Sequence, residues 1–492
     1  MEVYMGRKSK NIIAILLCLI MPVAFAGCLK NNTTGKDKDA VPSGTGVSSG
    51  SGDISSENTV PGGTEDETEN NNGSIQNTEP AKAGINVTRI DGLGEDFIFG
   101  ADISSIRSEY ESGVKYYDFE GNSLLYSPGD GEKGFFMFLK ECGINWVRIR
   151  VWNDPYDENG NSYGGGNNDL ETAIDTGKLA TDAGLRVLID FHYSDFWAGP
   201  GKFQPPKEWQ DMDIDSKAQA LEVYTVKSLT KLVDSGVDVG MVQIGNETVN
   251  GLAGETDWEN ICQLMNEGSR AVRYVADTME KEILVVLHFT DISESRYRSI
   301  ASTLQDRQVD YDVFATSYYP FWHGTAENMA ATMKIIAEEY GKKVMVAETS
   351  YVYTLEDGDG HGQSVGKDSG LPLDYDVSVQ GQADAVANVI QAMADIGEEG
   401  LGVFYWEPAW IPVQLYKKDL KNHKRILREN KKIWEEKGSG WASKAAGSYD
   451  ADDAGKWYGG SSWDNQALFD FEGHPLESLL VFRYVFTGAV KK

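Results

Sequence analysis

The sequence predicts an α/β fold, a (β/α)8 TIM barrel with long loops after strands 7 and 8, and three observations carry that prediction. Eight short runs are apolar almost throughout, as strands of a parallel sheet buried on both faces must be. Longer amphipathic segments separate them, the alternation of a strand–helix repeat. Gly100-Ala101-Asp102, at the end of the first run, is not a glycine-rich phosphate loop, which counts against the open doubly wound alternative.

In chain order the strands are expected at Phe97–Ile103, Trp146–Trp152, Arg186–Tyr193, Gly240–Glu247, Ile283–Phe289, Val313–Tyr319, Val344–Tyr351 and Gly402–Glu407. Helical patterns fall between them at Gly134–Cys142, Leu170–Ala183, Ser216–Ser235, Trp258–Thr278, Ala326–Tyr340 and Asp384–Ile396. The 492 residues would also accommodate about three average domains, but one barrel with insertions uses the same length.

The first 28 residues are read as a leader. Arg7, Lys8 and Lys10 precede an apolar run from Ile12 to Ala26, long enough for a signal-peptide core and, with Pro22 inside, short for a membrane span. The run ends in Phe25-Ala26-Gly27-Cys28, which resembles a lipoprotein cleavage box with Phe25 where Leu is usual; Ala24-Phe25-Ala26 would serve an ordinary signal peptidase. Residues 29–84, rich in Gly, Ser, Thr, Asn and acidic side chains, bury too little to offset their ordering entropy and read as a disordered linker. The folded domain is expected at 85–492, on an exported chain tethered at the cell surface through Cys28. Cys142 and Cys262 then remain in the domain, read as buried free thiols rather than a disulfide.

Charge narrows the partners. With 45 Lys plus Arg against 76 Asp plus Glu, the net charge of −31 repels nucleic acid and anionic lipid, leaving the membrane only through the lipid anchor. Aromatic residues make up 11%, with 12 Trp and 23 Tyr, and aromatic faces suit neutral sugars, although most are expected in the core.

A barrel of this kind builds its site at the C-terminal ends of the strands. Those ends carry Asp102, Arg148 and Arg150, Asp190 and His192, Asn246-Glu247, His288, Tyr318, Glu348, and Trp406-Glu407. One acidic residue at a strand end is as often a helix cap or half of an ion pair. Two Glu after strands four and seven, nearly opposite across the mouth, match what glycoside cleavage requires: one carboxyl to protonate the leaving oxygen, the other to act at the anomeric carbon.

The peptides around these positions, Phe99 to Ser104, Trp146 to Trp152, Asp190 to Asp195, Gln243 to Glu247 and Ala347 to Tyr351, together resemble glycoside hydrolase family 53 of clan A, the arabinogalactan endo-β-1,4-galactanases. The resemblance spans roughly residues 95 to 485. It implies a retaining endo-hydrolase of β-1,4-galactan with Glu247 as general acid/base and Glu348 as nucleophile, the carboxyls about 5 to 5.5 Å apart. It further implies that Asn246 binds the sugar 2-hydroxyl. Arg148 and Arg150 share a strand face, and Arg150, nearer the mouth, is expected to hold Glu348 ionised together with Tyr318. Asp102, His192, Asp195, His288, Trp406 and Trp463 are expected to line the sugar subsites, the histidines alternatively being structural. Other clan A glycanases, mannanase or cellulase, would use the same Glu pair; a non-catalytic carbohydrate-binding barrel would have no need of it.

After the seventh strand, Asp357-Gly358-Asp359-Gly360-His361-Gly362-Gln363 alternates ligand side chains with glycine. Such a loop either is a solvated acidic turn or aims several oxygens, or an imidazole nitrogen, at a hard cation. The family resemblance implies structural Ca²⁺ here, with Asp357, Asp359 and His361 as ligands, Gln363 where Asn is usual, and Ser461 and Asp464 as candidates from the far loop. The chemistry itself needs no cofactor. The protein is expected as a monomer acting on polysaccharide.

Overall fold

The structure, a computed structural model, describes residues Glu79–Lys492; the expected leader and the linker up to Thr78 lie outside the described residues. Eight parallel strands close into a barrel: β1 Ile98–Asp102, β2 Trp146–Val151, β3 Arg186–Phe191, β4 Val239–Ile244, β5 Leu284–Phe289, β6 Val313–Ser317, β7 Lys343–Thr349 and β8 Gly400–Trp406, with β8 beside β1 and β7. Helices begin where Asp169, Asp213, Asp257, Ser293, Thr325 and Ser378 accept hydrogen bonds from the first-turn N–H groups. The last of them runs Val379–Ala394, earlier at both ends than the apolar pattern predicts, because Ser378 sets its start.

Alternation along the strands builds the barrel in layers. Ile98, Trp146, Leu188, Met241, Val286, Ala315, Met345, Ala347 and Phe404 fill the lumen as one apolar cluster. Gly100 belongs to this level because Phe404 takes its space: a Cβ there would lie 2.1 Å from the Phe404 ring. Two residues further along the same face stand Arg148, Asp190, Gln243, His288 and Ser317, so the polar layer lies directly above the apolar one. Between the strands and the helices lies a larger core that includes Val147, Ile149, Val187, Ile189, Ile244 and Phe289.

The expected domain boundary after residue 84 is corrected. Ala81–Ala83 pairs in parallel with Ala489–Lys491, and Ile85, Val87 and Ile90 are buried, so the fold begins before residue 85. A three-residue strand that depends on a partner some 400 residues away leaves no periodic signature. Cys142 and Cys262 are free and buried.

Candidate active site

Arg148 organises the polar layer. Its guanidinium has five N–H donors, and all five are used: Nη1 donates to Asp102 Oδ2 and Glu348 Oε1, both at 2.8 Å. Nη2 donates to Asp190 Oδ2 and Asn246 Oδ1, also at 2.8 Å, and Nε to Gln243 Oε1 at 3.2 Å. Tyr319 Oη donates to the other Glu348 oxygen at 2.9 Å. Glu348 is thus held by a cation and a hydroxyl.

Glu348 reaches this position through a break in the strand. Met345 and Ala347 already face the lumen, so strict alternation would turn Glu348 outward. The register of β7 shifts between Val346 and Glu348 against β6 and between Val346 and Thr349 against β8. Such an irregularity re-aims one side chain at a functional position. Glu247 arrives differently. β4 ends at Ile244, and the chain turns through Gly245 at φ +78° to Glu247 at φ +47°, a left-handed conformation uncommon for a residue with a side chain. Glu247 Oε1 lies 2.7 Å from Ser317 Oγ, and a Cβ on Gly199 would lie 3.2 Å from its Oε2.

The two carboxyls meet different electrostatics. Burial and then the charge of Glu348 push Glu247 up to about 8. Burial raises Glu348 as well, but the Arg148 guanidinium and the Tyr319 hydroxyl oppose it, so the proton of the pair resides on Glu247. Asp190 is buried against its charge, yet Arg148 and the hydrogen bond from His192 hold it below the usual carboxylate range.

Several sequence expectations are corrected here. Arg150 does not touch Glu348: it donates to Glu407 Oε1 at 2.6 Å and to Gly165 O at 2.9 Å, and its guanidinium carbon lies 4.3 Å from the centre of the Trp197 ring. Both arginines share a strand face, but the deeper one reaches across the lumen while the outer one meets the β8 end. Tyr318 is also displaced, donating to Gly324 O at 2.8 Å. Ser317 points inward, so alternation sends Tyr318 into the core behind the barrel and brings Tyr319 to Glu348.

Asp102, His192, Asp195 and His288 do not face open space; all are buried with their partners inside the protein. Asp102 is taken by Arg148 and by Ser104, whose hydroxyl donates at 2.6 Å. His192 Nδ1 accepts from Trp152 Nε1 and Ala198 N, both at 3.1 Å, which puts the ring proton on Nε2 facing Asp190. Asp195 accepts from the backbone N–H groups of Asp154 and Lys207. His288 lies between Asn246 Oδ1 and Ser317 Oγ, each at 2.9 Å.

Asn246, Glu247 and Trp406 remain partly exposed at the mouth. Trp463 is mostly buried and meets Trp406 edge-on, ring centres 4.8 Å apart. Trp197 and the exposed Trp322 extend the same aromatic wall. Ser317, Tyr319 and Trp197 are the residues that sequence reasoning missed; counting two residues on from Ser317 would have found Tyr319, and no local signal marks the other two.

The loop after β7 meets the segment after β8. Asp357, Asp359 and Asp464 each bring a carboxylate oxygen within 4.8 Å of the others. Asp359 Oδ2 accepts from Ser461 N at 2.8 Å, and the Gln363 amide donates to Asp464 Oδ1. Asp464 Oδ2 and Gln363 Oε1 are buried without a hydrogen-bond partner. Burial and mutual repulsion raise Asp359 and Asp464 well above the carboxylate range. Clustered, under-satisfied hard oxygens fit a hard cation such as Ca²⁺. The His361 ring is outside this cluster, beside Trp434 and Gly459, which corrects it as an imidazole ligand.

A closed parallel barrel with two carboxyls of unequal proton affinity at its mouth defines a two-carboxylate glycosidase. The comparisons agree. The Glycosyl hydrolase family 53 model matches residues 98–482, and the chain belongs to that family. It is 55% identical over 407 residues to the endo-β-1,4-galactanase of Bacillus subtilis (strain 168), covering 82% of this chain and 90% of that protein. It is 31% identical over 324 residues to arabinogalactan endo-β-1,4-galactanase A of Emericella nidulans, covering 63% of this chain and 85% of the relative. Among solved structures, the Ignisphaera aggregans GH53 catalytic domain superposes with TM-score 0.69 at 35% identity, covering 82% of this chain and 99% of that one.

Proposed function

We infer that this glycoside hydrolase cleaves internal β-1,4-galactosidic bonds of type I arabinogalactan with retention of configuration. The observation that carries the substrate is the 55% identity to an endo-β-1,4-galactanase along 90% of its length; the observation that carries the mechanism is the unequal pair Glu247 and Glu348. Glu348, ionised beside Arg148, attacks the anomeric carbon while Glu247 delivers its proton to the departing glycosidic oxygen. A galactosyl ester on Glu348 results. Glu247, now a carboxylate, takes a proton from water as that water attacks the same carbon, and Glu348 leaves as the carboxylate. Arg148 and Tyr319 stabilise the charge on Glu348 at the start and end of the cycle. Asn246, its Oδ1 held by Arg148, meets the sugar 2-hydroxyl, and Trp406 forms a stacking surface.

Ca²⁺ is proposed as a structural ion held by Asp357, Asp359, Gln363, Ser461 and Asp464, binding the loop after β7 to the segment after β8. The aspartate charges favour its capture. The leader and linker are proposed to export the chain and tether it at Cys28.

The full chain incubated with purified galactan, mannan and carboxymethyl cellulose tests the reading through release of reducing ends. Rapid release from galactan alone is expected; release from mannan or cellulose instead would keep the two Glu and discard the substrate. Because Glu247 must be protonated to act first, activity should fall as pH rises through about 8.

A further inference from the structure

Ser317 touches the acid/base, and His288 touches Ser317, but neither has a part in the two displacements. Ser317 Oγ stands 2.7 Å from Glu247 Oε1, and His288 Nε2 stands 2.9 Å from the same Oγ. Where the protons lie follows from the far end of this chain of contacts. Arg148 Nη2 can only donate, so the Asn246 atom it meets is the oxygen; Asn246 Nδ2 donates on the other side to Ala198 O at 2.9 Å. An oxygen facing His288 Nδ1 at 2.9 Å requires a proton on Nδ1. The other neighbour of Nδ1, Gln243 Nε2, has both hydrogens directed elsewhere, to Asp190 Oδ1 at 2.6 Å and Gly245 O at 3.0 Å. Burial and the Arg148 charge hold His288 well below its ordinary pKa, so the ring is neutral and Nε2 presents a lone pair.

That lone pair takes the single Ser317 proton. Ser317 Oγ is then left to accept from Glu247, which it can do only while Glu247 is protonated.

Resting on the acid/base reading of Glu247, we propose that Ser317 and His288 are positioning residues that hold the proton on Glu247, because the relay Arg148–Asn246–His288–Ser317 ends in an acceptor. When Glu247 becomes a carboxylate, the Ser317 hydroxyl turns to it and His288 Nε2 loses its partner. This cost recurs in every cycle and favours the acid form. It adds to what else faces Glu247: Glu348 on β7, Asp291 after β5, and Tyr319 and Tyr297, while the Ser317 hydroxyl when it donates, and then the Thr290 hydroxyl, favour the carboxylate. His288 itself faces Arg148, Asp190 and His192.

The sign of one shift decides the matter. If Ser317 accepts from the acid, Ser317→Ala moves the alkaline limb of kcat/KM on galactan downward by about one pH unit, the worth of one hydrogen bond, and Ser317→Thr restores it. A limb that stays or moves upward, as loss of a donor to the carboxylate would cause, overturns the proposal. A second measurement needs no variant. In the ¹⁵N-histidine-labelled full chain at pH 6, His288 should be neutral with its proton on Nδ1, and a proton on Nε2 overturns the relay. The tautomer is independent of activity, so a fully active Glu247→Gln variant would refute the acid/base reading and leave this result standing.

Discussion

Around Arg148, Asp102, Asp190 and Glu348 are buried together, and each has a hydrogen bond from the one guanidinium. Around Asp359, three carboxylates each bring an oxygen within 4.8 Å of the others, and the oxygens left over include Asp464 Oδ2 and Gln363 Oε1. The first cluster carries its own cation on a barrel strand. The second joins two loops and contains only acceptors and amides. Burying a carboxylate is costly unless it is paired, so the first cluster is complete on folding while the second keeps unpartnered oxygens that the proposed Ca²⁺ would satisfy. This separates the parts: the catalytic layer is fixed by the barrel, and the loops that frame it would, on the proposal above, be fixed by an ion.

The largest effects should come from the catalytic layer. On the proposed mechanism Glu348→Gln removes the attacking carboxylate, and Glu247→Gln the transferable proton. Each should lower kcat by at least about 10³-fold with the near-ultraviolet circular dichroism unchanged, and a variant that keeps full activity would sink its assignment. Arg148→Met leaves three carboxylates without their cation. It should cost about 3–5 kcal/mol in urea unfolding, as a broken buried ion cluster does, and Arg148→Lys should not rescue it because three donors cannot replace five. A loss below about 1 kcal/mol would mean that the cluster is held some other way.

For the loop cluster, chelation is the matching test. A free ion at a hundred times its Kd contributes about 2.7 kcal/mol, so a chelator should lower the Tm of the wild type by several degrees. Asp359→Ala should already be lowered and respond little. Equal shifts in both proteins would leave the loop pair without a cation.

The smallest effect concerns Glu109, which lies in the short helix Ile106–Glu111 with neither carboxylate oxygen partnered. Burial, followed by the charges of Glu407, Asp359 and Asp464, raises it well above 4.5. A carboxyl raised on folding favours the folded state fully below its unfolded pKa and loses that contribution as pH rises toward the folded value. At constant calcium, the Tm advantage of Glu109→Gln over the wild type should therefore widen from pH 4.5 upward. A gap independent of pH would show that Glu109 is ionised in the folded protein.

The strands, their order and the two Glu were legible because they rest on local signals: apolar runs of strand length, and polar residues that close them. Arg148 could not be chosen over Arg150, since both side chains leave the same face and only the width of the closed lumen decides which one spans it. Tyr319 was obscured by assuming that the residue closing the run faces inward, whereas β6 ends at Ser317 and the alternation counts from there. The histidines and Asp102 were read as sugar contacts from their positions at strand ends; their burial follows from the partners that neighbouring strands bring over them.

By itself the sequence determined the barrel, the carboxylate pair and the acidic loop, because strand periodicity, residue type and spacing are written along the chain. Only the tertiary structure decided which arginine and which tyrosine hold Glu348, that a register shift turns Glu348 inward, and that Asp464 joins Asp357 and Asp359. Those facts depend on distances between residues far apart in sequence, and such distances are set by barrel closure and register, which no local pattern encodes.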